Sequence, residues 1–162
     1  MSLREISLTL PNRPGTLAKV ARALAQERIN LAAISVDSTA ARGRVRLIVN
    51  DPDRAMRLLS GAGYRAEVRE MIAVRLEDRA GSFLRVLEVL AREKVNLQSV
   101  VILIAREGSQ PLCALSTDDI PRARRILRTA GFASQLAERI VSNADLLATS
   151  PTIPAESVGL LL

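Results

Sequence analysis

A chain of 162 residues with 48% hydrophobic and 25% charged residues has the composition of a folded globular protein, and its one cysteine cannot form an internal disulfide. It contains no histidine, which removes the usual general base and the commonest metal ligand. No apolar run nears the ~20 residues of a membrane span, and the N-terminus lacks a basic-then-apolar leader, so a cytoplasmic protein with no membrane partner is expected. The net charge of +6 is spread along the chain, and all but Lys19 and Lys94 of the 23 basic residues are Arg. Its only local clusters are Arg42-Gly-Arg44-x-Arg46 and Arg122-x-Arg124-Arg125, and a nucleic-acid partner is not expected.

The first element is a strand. Ile6, Leu8 and Leu10 alternate with polar residues, the period-two pattern of a strand with one buried face. Asn12-Arg13-Pro14-Gly15-Thr16-Leu17 then opens a helix. Asn12 is a residue type that caps helix starts, and Pro14 suits a first turn whose N–H groups are free. Leu17, Val20 and Leu24 form the stripe that should lie on a sheet. Asn30-Leu31 leads into a second strand through Ile34 and Val36. Arg42-Gly43 reads as a turn, and Val45, Leu47 and Val49 as a third strand. Asp51-Pro52 starts a second helix, packed through Ala55, Leu58 and Leu59 and stopped at Gly63. Tyr64 leads into a fourth strand near Ala66–Arg69.

The same unit is then written again. From Asn12 to Val36 against Asp78 to Ile102, 8 of 25 positions are identical, and Asp51 to Tyr64 matches Asp119 to Phe132 at 7 of 14. Ile72, Val74 and Leu76 repeat the first strand; Phe83, Val86 and Leu90 repeat the helix stripe. Asn96-Leu97 with Val100, Ile102 and Ile104 repeat the second strand. Glu107-Gly108-Ser109 forms a turn, Cys113 and Leu115 mark the third strand, and Ala123, Ile126 and Leu127 the second helix. The order β-α-β-β-α-β, twice, predicts an α+β protein of two ferredoxin-like units, with antiparallel sheets and helices on one face. The expected boundaries are residues 1–70 and 71–138, followed by a tail, 139–162, whose leucines should dock on a surface. Without a linker the two sheets should be fused or side by side. Leu84, Leu87 and Val89 replace Ala18, Ala21 and Ala23 and widen the apolar stripe, which marks an interface with a second chain.

Catalysis has little to work with. Cys113 aligns with Val45 in a central strand and reads as a buried structural thiol. The acidic pairs Asp51/Asp53, Glu77/Asp78 and Asp118/Asp119 sit at helix starts, where capping and the helix dipole explain them. There is no phosphate loop and no Cys or His spacing for zinc. The chain is therefore read as a non-enzyme with no cofactor or metal.

The strand-to-helix turn is the better candidate. Amides at a helix start point outward without partners and favour an anion, and Gly15 and Gly81 remove the Cβ that would block approach. A carboxylate could sit on the N–H groups of Gly15, Thr16 and Leu17. Asn30 and Asn96 recur before the second strand, and a carboxamide can bond both a carboxylate and an ammonium.

Asn12-Arg13-Pro14-Gly15-Thr16-Leu17, the helix, and Ile29-Asn30-Leu31 together resemble the ACT domain, a βαββαβ regulatory module that binds amino acids and other small metabolites. The first copy is similar to the regulatory domain of phosphoglycerate dehydrogenase, whose matching turn and later asparagine hold serine. The resemblance covers residues 4 to about 138. It implies a ligand site at Asn12, Pro14, Gly15, Thr16 and Leu17, with Asn30 facing them from a neighbouring domain, and a second at Asp78, Gly81, Ser82, Phe83 and Asn96. Leu10 and Leu76 stand where the serine-binding domain has a histidine, and Asp78 and Ala80 replace Asn12 and Pro14. The two sites are therefore not equivalent, and serine is not the expected ligand. The reading is a regulatory protein that binds a small amino acid or related metabolite, forms a homodimer or higher homo-oligomer and acts on a partner enzyme. The alternatives are an interaction scaffold with a vestigial site and an RNA-binding ferredoxin-like module, the latter needing exposed aromatics.

Overall fold

A computed structural model describes residues 3–39, 41–103 and 111–132. The fourth strand expected after Phe132, the turn at Glu107-Gly108-Ser109 and the tail lie outside these residues. The first unit runs β1 (Leu3–Pro11), α1 (Thr16–Gln26), β2 (Leu31–Ser38), β3 (Arg42–Val49) and α2 (Pro52–Gly61). Next come β4 (Ala66–Arg75), α3 (Ser82–Arg92), β5 (Leu97–Leu103), β6 (Leu112–Thr117) and α4 (Ile120–Thr129). The strands form one antiparallel sheet in the order β2-β3-β1-β4-β6-β5.

The strand expected near Ala66–Arg69 and the one expected from Met71 are a single strand. The first part of β4 pairs with β1, from Ala66 against Leu8 to Met71 against Leu3. Its last part pairs with β6, from Ile72 against Leu115 to Arg75 against Leu112. One strand thus closes the first unit and opens the second. Its even-numbered side chains face helices throughout: Ala66 packs on the first core, and Ile72 and Val74 belong to the second. The helices of both units therefore lie on the same side of the shared strand.

The first core joins Ile6, Leu8, Leu10, Val45 and Leu47 to Val20, Leu24, Ala55 and Leu59 of the helices. The second joins Ile72, Val74, Cys113 and Leu115 to Val86, Leu90, Ala123 and Leu127. Asp51 and Asp119 cap α2 and α4, each accepting a 3.0 Å bond from a backbone N–H, of Arg54 and Arg122 respectively. Gly63 and Gly131, at φ +82° and +84°, follow those helices in the left-handed conformation that glycine accepts cheaply.

A third core lies on the helix-free face. Leu3, Ile48, Met71, Ala73, Leu112 and Ala114 are buried there, with Ala32, Ala33, Val101 and Leu103 packed against them. These residues come from both ends of the sheet, and Cα atoms of β2 and β5, its two outer strands, come within 8 Å of each other. The sheet therefore curls through β4 so that its two halves pack face to face, helices outward. Ser99 on β5 donates a 2.7 Å hydrogen bond to Glu5 on β1 across this joint, where Glu5 is only 1% exposed. Small side chains let the halves approach closely.

Two local readings are corrected. Arg42 and Gly43 belong to β3, with Gly43 paired to Leu10 and Ser38, and the turn lies just before them, where Thr39 N–H bonds the Arg42 carbonyl at 2.8 Å. The widened stripe on α3 also resolves: Val89 packs on the second core, Leu87 is half-buried, and only Leu84 stays exposed.

Candidate functional site

The segment from Asn12 to Leu17 begins where β1 leaves its ladder. Asn12 does not cap α1. The residue before the helix is Gly15, at φ +79°, and no side chain bonds the helix start. Asn12 instead donates its side-chain Nδ2 to the Thr39 carbonyl at 2.9 Å, and its N–H goes to Ala41 O at 3.1 Å. It ties the turn to the β2–β3 hairpin. Pro14 accordingly precedes the helix and fixes the approach to Gly15. The second turn is built alike, with Gly81 at φ +87° before α3 and again no side-chain cap.

The hydrogen bonds decide which amides are free. Arg13 N–H bonds Pro11 O, Thr16 N–H bonds Arg13 O at 3.2 Å, and Lys19 N–H bonds Gly15 O at 3.0 Å. Thr16 N–H, expected to face a ligand, is thus engaged. The N–H groups of Leu17 and Ala18 have no backbone acceptor among the described residues. In the second turn Arg79, Ser82 and Arg85 repeat the three bonds, which leaves Phe83 and Leu84 in the same position. A Cβ placed on Gly15 or Gly81 would meet nothing within 4 Å, so the space beside each turn is open. Those glycines are required by their positive φ rather than by crowding within the chain.

Asn12, Pro14, Gly15 and Leu17 are exposed and Thr16 is half-buried. Leu17, expected on the packed face of α1, projects instead from its first turn beyond the core. In the second unit Asp78 and Gly81 are exposed and Phe83 packs on the core. Ser82 is buried, and its hydroxyl has no hydrogen-bond partner among the described residues. Around that turn Glu77 pairs with Arg79 and lies 3.9 Å from Arg85, whose guanidinium sits 5.7 Å from the Phe132 ring. Carboxylates thus ring the second turn, whereas the first has none beside it in sequence.

Asn30 and Asn96 are exposed and stand apart from the turns. Leu31 pairs with Val49 and Ile48 with Glu5, so Asn30 enters the sheet level with Arg4, while the turn begins at Asn12. Eight residues of strand are about 27 Å. By the same pairing Leu97 lies opposite Thr117, level with Glu70, eight residues from Asp78. Arg4 pairs directly with Glu70, so both asparagines sit at the waist of the molecule while the turns sit at opposite ends. No turn meets the asparagine of its own unit. The backbone of Asn30 is held by Asn50, through N–H to Oδ1 at 3.0 Å and Asn50 N–H to the Asn30 carbonyl at 3.1 Å.

Sequence reasoning missed the joint and two matched ion pairs. Arg4 bonds Asp53 on α2 through two 2.7 Å contacts, and Glu70, its partner across the ladder, pairs with Arg124 on α4 at 2.8 Å. The Arg4 guanidinium holds the Asp53 carboxyl below the usual carboxylate range. Cys113 is fully buried in the second core, and burial pushes its thiol up to about 11. Such a thiol is inert as a nucleophile at neutral pH. No group of three or more acidic, cysteine or histidine residues that could hold a metal occurs among the described residues.

The profile of the ACT domain pair matches residues 1–143. The chain belongs to the ACT domain pair family. The ACT fold appears in solved structures of similar size. Protein BT0572 from Bacteroides thetaiotaomicron superposes with a TM-score of 0.79 at 23% identity, over 87% of this chain and 96% of that one. The ligand-free regulatory subunit of aspartate kinase from Thermus thermophilus gives 0.58 at 18% identity, over 80% and 92%. The corresponding subunit from Thermus flavus gives 0.55 at 17%, over 81% and 94%. At these identities the likeness is one of fold. No curated protein matches the chain.

Proposed function

We propose that this ACT pair is a non-catalytic regulatory protein that binds a small amino acid or a related metabolite and passes its state to a partner enzyme. The observation that carries the reading is the twice-built helix start, with Leu17 and Ala18 N–H groups left free beside an open glycine turn. Two free amides at the positive end of a helix dipole suit a carboxylate. An asparagine carboxamide, from Asn30 or Asn96 of a neighbouring copy, supplies the oxygen for an ammonium and the N–H for a second carboxylate oxygen. The likeness of the first turn to the serine-holding turn of phosphoglycerate dehydrogenase supports the ligand class. The aspartate kinase regulatory subunits of the same fold support an enzyme as partner. Glu77 and Asp78 make the second turn the weaker carboxylate site.

A thermal-shift screen of the amino acids tests the reading. A ligand at a hundredfold excess over its Kd stabilises the folded chain by about 2.7 kcal/mol, which is easily seen. If no amino acid shifts the transition, the interaction-scaffold reading replaces this one. The RNA-binding reading lacks its main device: Tyr64, Phe83 and Phe132 all pack against the helix-side cores, so none offers a face for base stacking.

A further inference from the structure

The arginine cluster Arg122-x-Arg124-Arg125 lies on α4. With Arg128 it gives that helix four arginines and no acidic residue, a net charge of +4. Its counterpart in the first unit, α2, has Asp53, Arg54 and Arg57, a net charge of +1. In the aligned repeat Pro121 replaces Asp53, Arg124 replaces Met56 and Arg128 replaces Ser60. All three differences move the charge the same way. A chain-wide preference for arginine over lysine explains which cation is used. It does not explain why one copy of the helix carries two more cations and one carboxylate fewer.

The arginines that both helices share are also held differently. Arg54 pairs with Glu27 at 2.5 Å, and Arg4 and then Arg57 hold the Asp53 carboxyl low. Glu93 stands where Glu27 does in the repeat, yet Arg122 reaches only its backbone carbonyl, at 2.8 Å. Arg124 pairs with Glu70. Among the described residues no carboxylate pairs with Arg122, Arg125 or Arg128, and all three are exposed. Like charges three or four positions apart on a helix repel, and Arg122 stands in the first turn, where the dipole disfavours a cation. Within the described structure this face weakens the helix that carries it.

We propose that the outer face of α4 docks an acidic segment of a partner protein. Ala123 and Leu127 set the inner side of the helix on the second core, and the arginines fan round the rest, from Arg122 beside α3 to Arg124 beside β4. Arg122 to Arg128 spans about 9 Å of helix axis, the reach of two or three carboxylates on one segment. Guanidinium groups bind carboxylates through paired N–H donors, so arginine suits such a partner better than lysine. A nucleic acid fits less well. Phe83 and Phe132 pack on the second core, and Glu88 and Glu93, exposed on α3, interrupt the positive surface. The Arg85 guanidinium lies over the Phe132 ring while the Arg85 N–H bonds the Gly81 carbonyl, so the Arg128 end of α4 stands beside the second turn. A partner seated on α4 thus ends next to a candidate ligand turn. The inference takes from the proposed function only that the partner is an enzyme. Its test uses no amino acid, so peptide docking and amino-acid binding can fail separately.

The probe is a short labelled peptide of alternating glutamate and serine, titrated with the full chain and followed by fluorescence anisotropy. It should bind at low salt and weaken as salt rises. Arg125→Gln with Arg128→Gln should weaken binding about tenfold. Arg54→Gln with Arg57→Gln removes the same charge from α2 and should leave binding nearly unchanged. The α4 variant should also melt at the wild-type temperature or above it, because repelling charges are gone and glutamine is a good helix former. No binding by the wild-type chain overturns the inference. So does equal weakening by the α2 variant, which would show general attraction to a basic protein. A lower melting temperature for the α4 variant would mean that the chain's own carboxylates hold these arginines, and that overturns it too. Displacement of the peptide by polyuridylate at equal charge concentration would make the face a nucleic-acid surface and would also overturn it.

Discussion

Glu5 and Ser99, ninety-four positions apart, meet across the helix-free joint through a 2.7 Å hydrogen bond that both units bury. Ser116, paired to Ser99 in the ladder, adds a buried hydroxyl without a partner among the described residues. A carboxylate taken out of water needs its donors, and removing one leaves the desolvation uncompensated. Ser99→Ala should therefore destabilise the chain by about 2 kcal/mol. Glu5→Leu with Ser99→Ala should lose less than the sum of the single changes, because the buried acceptor goes with its donor. Urea denaturation of the four-member cycle measures this. Strict additivity would show the bond contributes nothing to holding the units together.

The glycine turns should be sensitive through conformation. Gly15→Ala and Gly81→Ala each force a Cβ-bearing residue to φ near +80°, at about 1–2 kcal/mol. Since no atom stands within 4 Å of the added Cβ, valine should lose at least as much by strain and not by collision. Melting curves that are unchanged for both alanine variants would contradict the left-handed turns.

Asn12 and Asp51 should separate two roles that look alike in sequence. Asp51→Ala removes a true helix cap and should lose about 1 kcal/mol. Asn12→Ala instead removes the clamp on Thr39, so amide exchange should rise at the β2–β3 hairpin while α1 is unchanged. Exchange rising in α1 would restore Asn12 as a cap.

Acid should release the Arg4–Asp53 tie. The folded Asp53 carboxyl lies below its ordinary value of 3.8, so its contribution is present above that pH and is lost as the pH falls through the lower folded value. Asp53→Asn should therefore flatten the stability profile below about pH 4, and salt should shrink the difference because the pair is exposed. An unaltered profile at low salt would show that the pair is idle.

Cys113 gives the opposite sign at the alkaline end. Its thiol rises from 9.0 to about 11 on burial, so the unfolded chain ionises first and stability falls between those values. Cys113→Ala should remove that alkaline loss, with some loss of packing at every pH. Native protein at pH 8 should resist a thiol reagent and react fully in urea. Fast native labelling would place the thiol outside the core.

The repeat made the fold legible because each unit obeys the local rules: period two in β1, a helix stripe at Val20 and Leu24, Asp51 and Asp119 as caps, Gly63 and Gly131 as stops. The joint was harder to read. Glu5 and Ser99 look like solvent-side residues of alternating strands, and the signal of apolar groups on both faces lies in unbroken runs such as Met71-Ile72-Ala73-Val74 and Val100-Val101-Ile102-Leu103. Asn12 misled because asparagine suits a cap and a hairpin clamp equally, and Thr39 is too distant in sequence to decide between them. The separation of Asn30 from Asn12 followed from strand direction and register, which periodicity does not give.

The central claim is tested most directly at Asn30, whose side chain makes no hydrogen bond within the described residues while its backbone is held by Asn50. Calorimetric titration of the amino acid that raises the melting temperature should show binding to the wild-type chain and a loss of at least tenfold in affinity for Asn30→Ala, with the ligand-free melting temperature unchanged. Equal affinity in the variant, or no binding of any amino acid to the wild-type chain, would contradict the account.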